Sequence, residues 1–205
     1  MNDTPLQVAE EDTREKLLNA AQAQFAELGF HGASISRIAG EVGLTKQALL
    51  YHFKRKEDLY SEVLRRISVR LLDAMRTSHD PRSSPEQQFE DTIMGIYASA
   101  CAHPLDTRVL MREVLDDQRR DAPPEHWFHK TWLDEIVDRL DAVEGQAALS
   151  QAEKFARIFQ LIAAIQVFVA SKSVLARFYG EEGHASIAQA YPEELRKQVR
   201  LIIGR

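Results

Sequence analysis

Residues 34–56 read SISRIAGEVGLTKQALLYHFKRK, and the spacing of apolar and breaking residues within them decides the fold. Ile35, Ile38, Ala39 and Val42 fall at i, i+3, i+4 and i+7, a narrow apolar stripe along one short helix. Ser34 is placed to cap its start, and Gly43 stops it after about two turns. Leu44 fills the corner, and Thr45 is the expected cap of a third helix over about residues 46–53. That helix buries Leu49 and Phe53, one turn apart. Neither short helix is stable alone, because so few hydrogen bonds do not offset the cost of nucleation. The flanking sequence supplies long partners. Upstream, about residues 13–28 place Leu17, Leu18, Ala21, Phe25 and Leu28 on one face before Gly29. Downstream, a helix starting near Lys56 carries Leu59, Val63, Ile67 and Leu71 down one side. The pattern predicts a helix-turn-helix whose third helix keeps its polar face outward.

The same stretch stands apart in charge. Between Phe30 and Lys56 the basic residues are Arg37, Lys46, Lys54, Arg55 and Lys56, against one acid, Glu41. The whole 205-residue chain carries a formal net charge of −5. It has a basic window, not a basic composition, and phosphates respond to the local face presented to them. With 44% hydrophobic and 28% charged residues the chain can build a core and is not disordered by composition. Nine Gly and seven Pro are few for an all-β protein. Cys101 is the single cysteine, which excludes an internal disulfide and a cysteine metal cluster. The polar, acidic amino-terminal residues are unlike a secretory signal. The most apolar run, FQLIAAIQVFVA at residues 159–170, is too short to span a bilayer and contains two glutamines. These features predict a soluble, cytoplasmic protein.

No run alternates as a strand would, so the predicted class is all-α. The segment HDPRSSP, residues 79–85, marks a boundary or bend, with Ser84 and Pro85 as cap and first helical position. Helices are then expected over about residues 85–103, 107–120, 124–143 and 150–178. The last of these opens with a capping box, Ser150 with Glu153. A final helix is expected after Pro192, with Leu195, Val199 and Ile202 on one face. Residues 162–169 are apolar on nearly all sides, which predicts heavy burial in either a dimer-interface helix or a central core helix.

The outward side chains of the third helix carry the chemistry. With Leu49 and Phe53 inward, Lys46, Gln47, Leu50, Tyr51 and Lys54 cannot all follow them. In a recognition helix such residues enter the major groove of DNA. Lysine reaches guanine O6 and N7, and glutamine pairs with adenine, so Lys46 and Gln47 are candidate base readers. Ala48 or Leu50 suits a thymine methyl. Tyr51, His52, Lys54 and Lys56 are placed for phosphates, the alternative for Tyr51 being packing on the first helix. The free N–H groups near Ser34 and Ser36, with Arg37 close by, form a further phosphate site. Thr45, opening the third helix, joins the expected contact set.

ISRIAGEVGLTKQALLYHFKRKEDL resembles the signature of the tetracycline-repressor-type (TetR) transcriptional regulators. The matching features are the Ile38-Ala39 pair, Gly43, the Tyr51-His52-Phe53 end of the third helix, and Lys56 leading into Asp58-Leu59. The preceding FAELGFHGASI matches as well. The family more often has tyrosine where Leu50 stands, here one place later, and often glycine in place of Gln47. The resemblance implies a flexible tail over residues 1–12, a helix-turn-helix domain over 13–58, and a ligand-binding and dimerisation domain over 59–205. It also implies a homodimer whose recognition helices enter successive major grooves of a palindromic operator. The dimer would form through the last two long helices, and a small-molecule effector in the second domain would release DNA; most members repress.

Candidate pocket residues are Tyr97, Trp127, Trp132 and Phe159, with Phe168, as cavity lining or ordinary core. Gln166, a polar residue in the apolar run, joins them. Arg112, with Glu113 on an otherwise apolar helix face, is either a partner for a polar ligand or half of an ion pair. His126 and His129 have i, i+3 spacing, but without HExxH among seven scattered histidines they read as structural or surface residues. No metal and no cofactor are expected. Phosphate-loop, nucleophile-elbow and metal-ligand spacings are lacking, which argues against an enzyme. Two alternatives stand beside the regulator: an all-helical binder or enzyme without DNA binding, and a DNA-binding dimer without an effector.

Overall fold

The computed structural model describes residues 5–116 and 128–204, and among these it is all helical. The order is α1 (Pro5–Gly32), α2 (Ile35–Glu41), α3 (Lys46–His52), α4 (Lys56–Thr77), α5 (Pro85–Ala102), α6 (Pro104–Asp116), α7 (Phe128–Asp141), α8 (Gln151–Ala170) and α9 (Lys172–Ile202). The chain divides into two units. One comprises the described residues of Met1–Ile67 and Arg108–His126, the other those of Ser68–Thr107 and Trp127–Arg205. Helices α4 and α6 each supply residues to both.

In the first unit, Leu17, Leu18, Ala21 and Phe25 of α1 are fully or almost fully buried with Ile38 and Ala39 of α2, Leu49 of α3, and Leu59 and Val63 of α4. Phe25 meets Tyr60 edge-on at 4.7 Å, beyond what area burial alone contributes. Arg66 of α4 donates to Glu15, Asn19 and Gln22, and Arg14 pairs with Glu62 at 2.8 Å, so polar clasps flank the apolar seam between α1 and α4. In the second unit, Phe89 and Ile93 of α5, Ile136 and Leu140 of α7, Ile158 and Ile165 of α8, and Leu195 and Val199 of α9 form the core. Glu90 is buried among them and accepts from both Arg196 and Arg200 of α9. Gly95 lets α5 approach α4 closely: a Cβ there would lie 2.8 Å from the Ala74 carbonyl and 2.6 Å from Ser78 Cβ.

Several boundaries differ from the sequence expectation. Helix α1 starts at Pro5, not near residue 13, and α6 at Pro104, not 107. In α6 a proline takes the first helical position, where its missing N–H costs nothing. Gly29 does break α1, with φ 71° and ψ 177°. Helix α8 ends at Ala170, well short of residue 178, and α9 sets off at 63° after Ser171. Helix α9 runs through Pro192 and is broken at Gly180 instead, with φ 74°. Pro192 lacks an N–H, so the Ala188 carbonyl has no i+4 donor. The opening of the helix expected over 124–143 lies outside the described residues, as do His126, Trp127 and the side chain of His129. Of the burial expected for residues 162–169, in a dimer-interface or a central core helix, the single chain supplies one face of α8, at Ile162 and Ile165. Phe155, Phe159 and Val167 remain 45%, 51% and 53% exposed. Among the described residues no single helix is long and apolar enough to cross a membrane.

Candidate nucleic-acid interface and ligand cavity

The turn between α2 and α3 is closed by backbone hydrogen bonds. Gly43 N–H donates to the Gly40 carbonyl at 3.1 Å and Leu44 N–H to the Ala39 carbonyl at 2.9 Å. With Gly43 at φ 74°, this is a Schellman motif, and it requires a residue that enters the left-handed region without a Cβ penalty. Thr45 then caps α3, its Oγ1 accepting from Ala48 N–H at 3.2 Å. Ser34 precedes α2 in extended geometry but makes no side-chain cap. Instead its N–H donates to Oε1 of buried Gln24, whose Nε2 donates to Glu41 at 2.8 Å. Gln24 thus ties both ends of α2 to α1. An isolated glutamine inside an apolar helix pattern gave no sequence signal for this.

The two faces of α3 separate as expected. Leu49 and the following Phe53 are buried, with Arg14 lying over the Phe53 ring at 5.1 Å. Thr45, Lys46, Gln47, Tyr51 and Lys54 are exposed, Tyr51 to 77%, while Ala48, Leu50 and His52 are half-buried. Packing of Tyr51 on α1 is therefore not its state; its ring meets His52 edge-on at 5.5 Å. Ser34, Ser36 and Arg37 are exposed at the start of α2, and Arg37 lies 3.7 Å from Glu41. The four clustered cations are not equivalent. Arg55 is held by Asp58 at 2.9 Å. Lys56 sits over the Phe30 ring at 4.6 Å and donates to the His31 carbonyl, and burial pushes its pKa down. Lys46 and Lys54 make no hydrogen bond or salt bridge among the described residues, so their charge is available to an external anion.

The pocket candidates disperse. Arg112 belongs to the first unit and donates to the Ala26 and Glu27 carbonyls at 3.1 and 2.5 Å, closing the end of α1 before its break at Gly29. It satisfies helix-end carbonyls and is not free for a ligand. Glu113 accepts from Tyr60 at 2.6 Å. In the second unit Trp132 is buried in the core, and Phe159 is half exposed, stacked on Phe155 at 5.8 Å. Neither lines the two hollows described below, nor does half-buried Gln166. Tyr97 lines the first. A cavity of about 210 Å³ is lined by Tyr97, Cys101, Pro104, Phe168, Val169, Lys172, His184 and Ala188. The sequence pattern missed most of these because the bend after Ala170 brings them together and no glycine or proline announces it. A second hollow, about 270 Å³, lies between α8 and α9 beside Tyr191. Among the described residues no group of three His, Cys, Asp or Glu could hold a metal ion.

An all-helical frame presenting a short, capped, cationic helix after a Schellman turn defines a helix-turn-helix unit. Residues 17–63 match the family model described as "Bacterial regulatory proteins, tetR family", and this stretch is a domain of that family. The HTH-type transcriptional regulator RutR of Escherichia coli is 44% identical over 54 residues, 26% of each chain. The HTH-type transcriptional repressor KstR2 of Mycolicibacterium smegmatis is 32% identical over 95 residues, 46% of this chain and 45% of its own. The matches thus span about a quarter to a half of those relatives' lengths. A TetR-like transcriptional regulator from Rhodococcus sp. RHA1 superposes with TM-score 0.69 at 20% identity, covering 94% of this chain and 97% of that one. That likeness extends the shared fold over nearly the whole chain.

Proposed function

We propose that the protein is a ligand-responsive transcriptional regulator that represses from a palindromic operator as a homodimer. The observation that carries this reading is the outer face of α3, where Lys46 and Lys54 stand unengaged beside exposed Gln47 and Tyr51. Lys46 and Gln47, in the first turn, address base edges, with Ala48 or Leu50 against a thymine methyl. Tyr51, His52 and Lys54 take phosphates from the end of α3, and Ser34, Ser36 and Arg37 take one at the start of α2. Lys56 braces the Phe30 ring and contributes charge at longer range. Repression, as against activation, is favoured by the name that KstR2 bears.

Dimerisation is supported by Phe155, Phe159 and Val167 along one side of α8 and Leu201 on α9, all exposed. Large exposed apolar side chains grouped on the last two helices are suited to cover by a second copy. The 210 Å³ cavity is the effector site in this reading. An effector can release DNA only by binding one arrangement of the dimer better than the other. Helix α6 is suited to carry that preference, since Pro104 near its start lines the cavity and Arg112 and Glu113 near its end bind α1 and α4.

The test is fluorescence anisotropy with a labelled duplex from the promoter of the protein's own gene. Lys46→Ala and Tyr51→Ala should each weaken binding by about 1–3 kcal/mol, roughly fivefold or more. Unchanged affinity in both folded variants overturns the assignment of α3 as the recognition helix.

A further inference from the structure

The cavity of the second unit has a chemical character of its own. Phe168 and Val169 come from the end of α8 and Lys172 from the start of α9, brought to one hollow by the bend after Ala170. Phe168 is held flat against Tyr191, ring centroids 3.7 Å apart and planes 7° apart, so it offers its other surface as a rigid wall. Tyr97 stands near both rings, at 6.4 Å from Phe168 and 5.5 Å from Tyr191. Burial, with a hydrogen bond to Cys101, pushes the Tyr97 pKa up, so its hydroxyl stays protonated and available as a neutral hydrogen-bonding group.

Charge decides among ligands. Among the described residues no carboxylate lines the hollow, although the chain as a whole is acidic. Lys172 lines it and makes no hydrogen bond or ion pair among the described residues. A neutral ligand would partly desolvate that ammonium and return at most a hydrogen bond to an uncharged acceptor, whereas a carboxylate adds the attraction of opposite charges. Size narrows the class further. At about 210 Å³ the cavity is smaller than the roughly 300–1,000 Å³ usual for drug-sized ligands. A single flat ring suits the Phe168 wall, because aromatic rings prefer offset-stacked contact.

Resting on the reading of this cavity as the effector site, we propose that it binds a single-ring aromatic carboxylate, the carboxylate on Lys172 and the ring against Phe168. Cys101 makes the site directly observable. It is the only cysteine of the chain, it is exposed, and it lines the hollow. Its alkylation by iodoacetamide therefore reports occupancy at this place alone.

The experiment compares benzoate and phenylacetate with benzamide and phenylacetamide, by calorimetric titration and by the rate of Cys101 alkylation. Both carboxylates are expected to bind at least tenfold more tightly than their amides and to slow alkylation. Lys172→Met, checked for unchanged helical circular dichroism, should erase that preference, and Lys172→Arg should retain it. Equal binding of acids and amides, preference surviving in Lys172→Met, or no slowing of alkylation by either acid overturns the proposal. Operator binding measured in parallel separates it from the regulatory reading. Acids that protect Cys101 without releasing DNA overturn the effector role and leave the ligand class standing. Release by a compound that leaves Cys101 alkylation unchanged places the effector elsewhere, overturning the effector role of this cavity while leaving the regulatory reading intact.

Discussion

Two glycines three positions apart should respond in opposite directions to the same substitution. Gly43 sits at φ 74°, and a Cβ built there meets nothing within 4 Å. Its replacement by alanine therefore meets no clash, only the cost of holding an L-residue in the left-handed region, about 1–2 kcal/mol. Gly40, inside α2, is also unobstructed, with nothing within 4 Å, but its φ is not positive. Alanine there should stabilise the helix by about 0.5–1 kcal/mol, because glycine loses more backbone freedom on folding. The two variants should thus differ by about 2 kcal/mol, roughly a factor of 30 in the local opening equilibrium. Amide hydrogen exchange at Leu44 reads it, since that N–H bonds to the Ala39 carbonyl across the turn. Exchange should quicken about fivefold or more in Gly43→Ala and slow in Gly40→Ala. Equal shifts in one direction, or no change in Gly43→Ala, would refute the turn geometry as the source of the register between α2 and α3.

Gly95→Ala should cost about 1–3 kcal/mol in urea unfolding, because the new methyl meets the Ala74 carbonyl at 2.8 Å and backbone cannot swing aside as a side chain can. Glu62 is held at a pKa of about 2 by its hydrogen bond from Arg65, against the opposing effect of burial and with further help from Arg14. Because its folded pKa lies below the ordinary value of 4.5, its contribution is present above pH 4.5 and lost as pH falls from there toward 2. Glu62→Gln should flatten that part of the acid-unfolding curve and leave stability between pH 6 and 8 without slope from this group. Phe159→Glu should separate the two copies of the proposed homodimer. With about 2 kcal/mol lost from each copy, the dissociation constant measured by analytical ultracentrifugation should rise on the order of a thousandfold.

How much of this was legible depended on whether a local residue decided each feature. The turn at Gly43, the cap at Thr45, the start at Ser84-Pro85 and the box of Ser150 with Glu153 were all readable, because each is settled by chemistry within four residues. Ser34 looked the part of a cap, yet a buried glutamine from α1 took its N–H, a partner ten residues away. Arg112 and Glu113 were correctly singled out as odd polar residues on an apolar helix, but their partners, on α1 and α4, could not be known without the fold. Pro192 read as a helix start and Gly180 did not read as a break, because the rule for proline is a preference that tertiary packing overrode. The cavity was the least readable feature. Tyr97, Cys101, Lys172 and His184 come from sequence positions up to 87 residues apart and share no periodicity.

The local placement of charge on α3 is the claim from which the rest follows, and salt dependence of operator binding tests it most directly. Lys54→Ala and Arg82→Ala each remove one surface cation and change the net charge equally. Arg82, in the second unit, is paired with Asp80 and has no part in the proposed face. In a plot of log affinity against log salt, the wild-type slope should be steep and negative, and Lys54→Ala should make it shallower by about 1. Arg82→Ala should leave it where it was. A slope near zero in the wild type, or the same change in both variants, would contradict the placement of DNA against this helix.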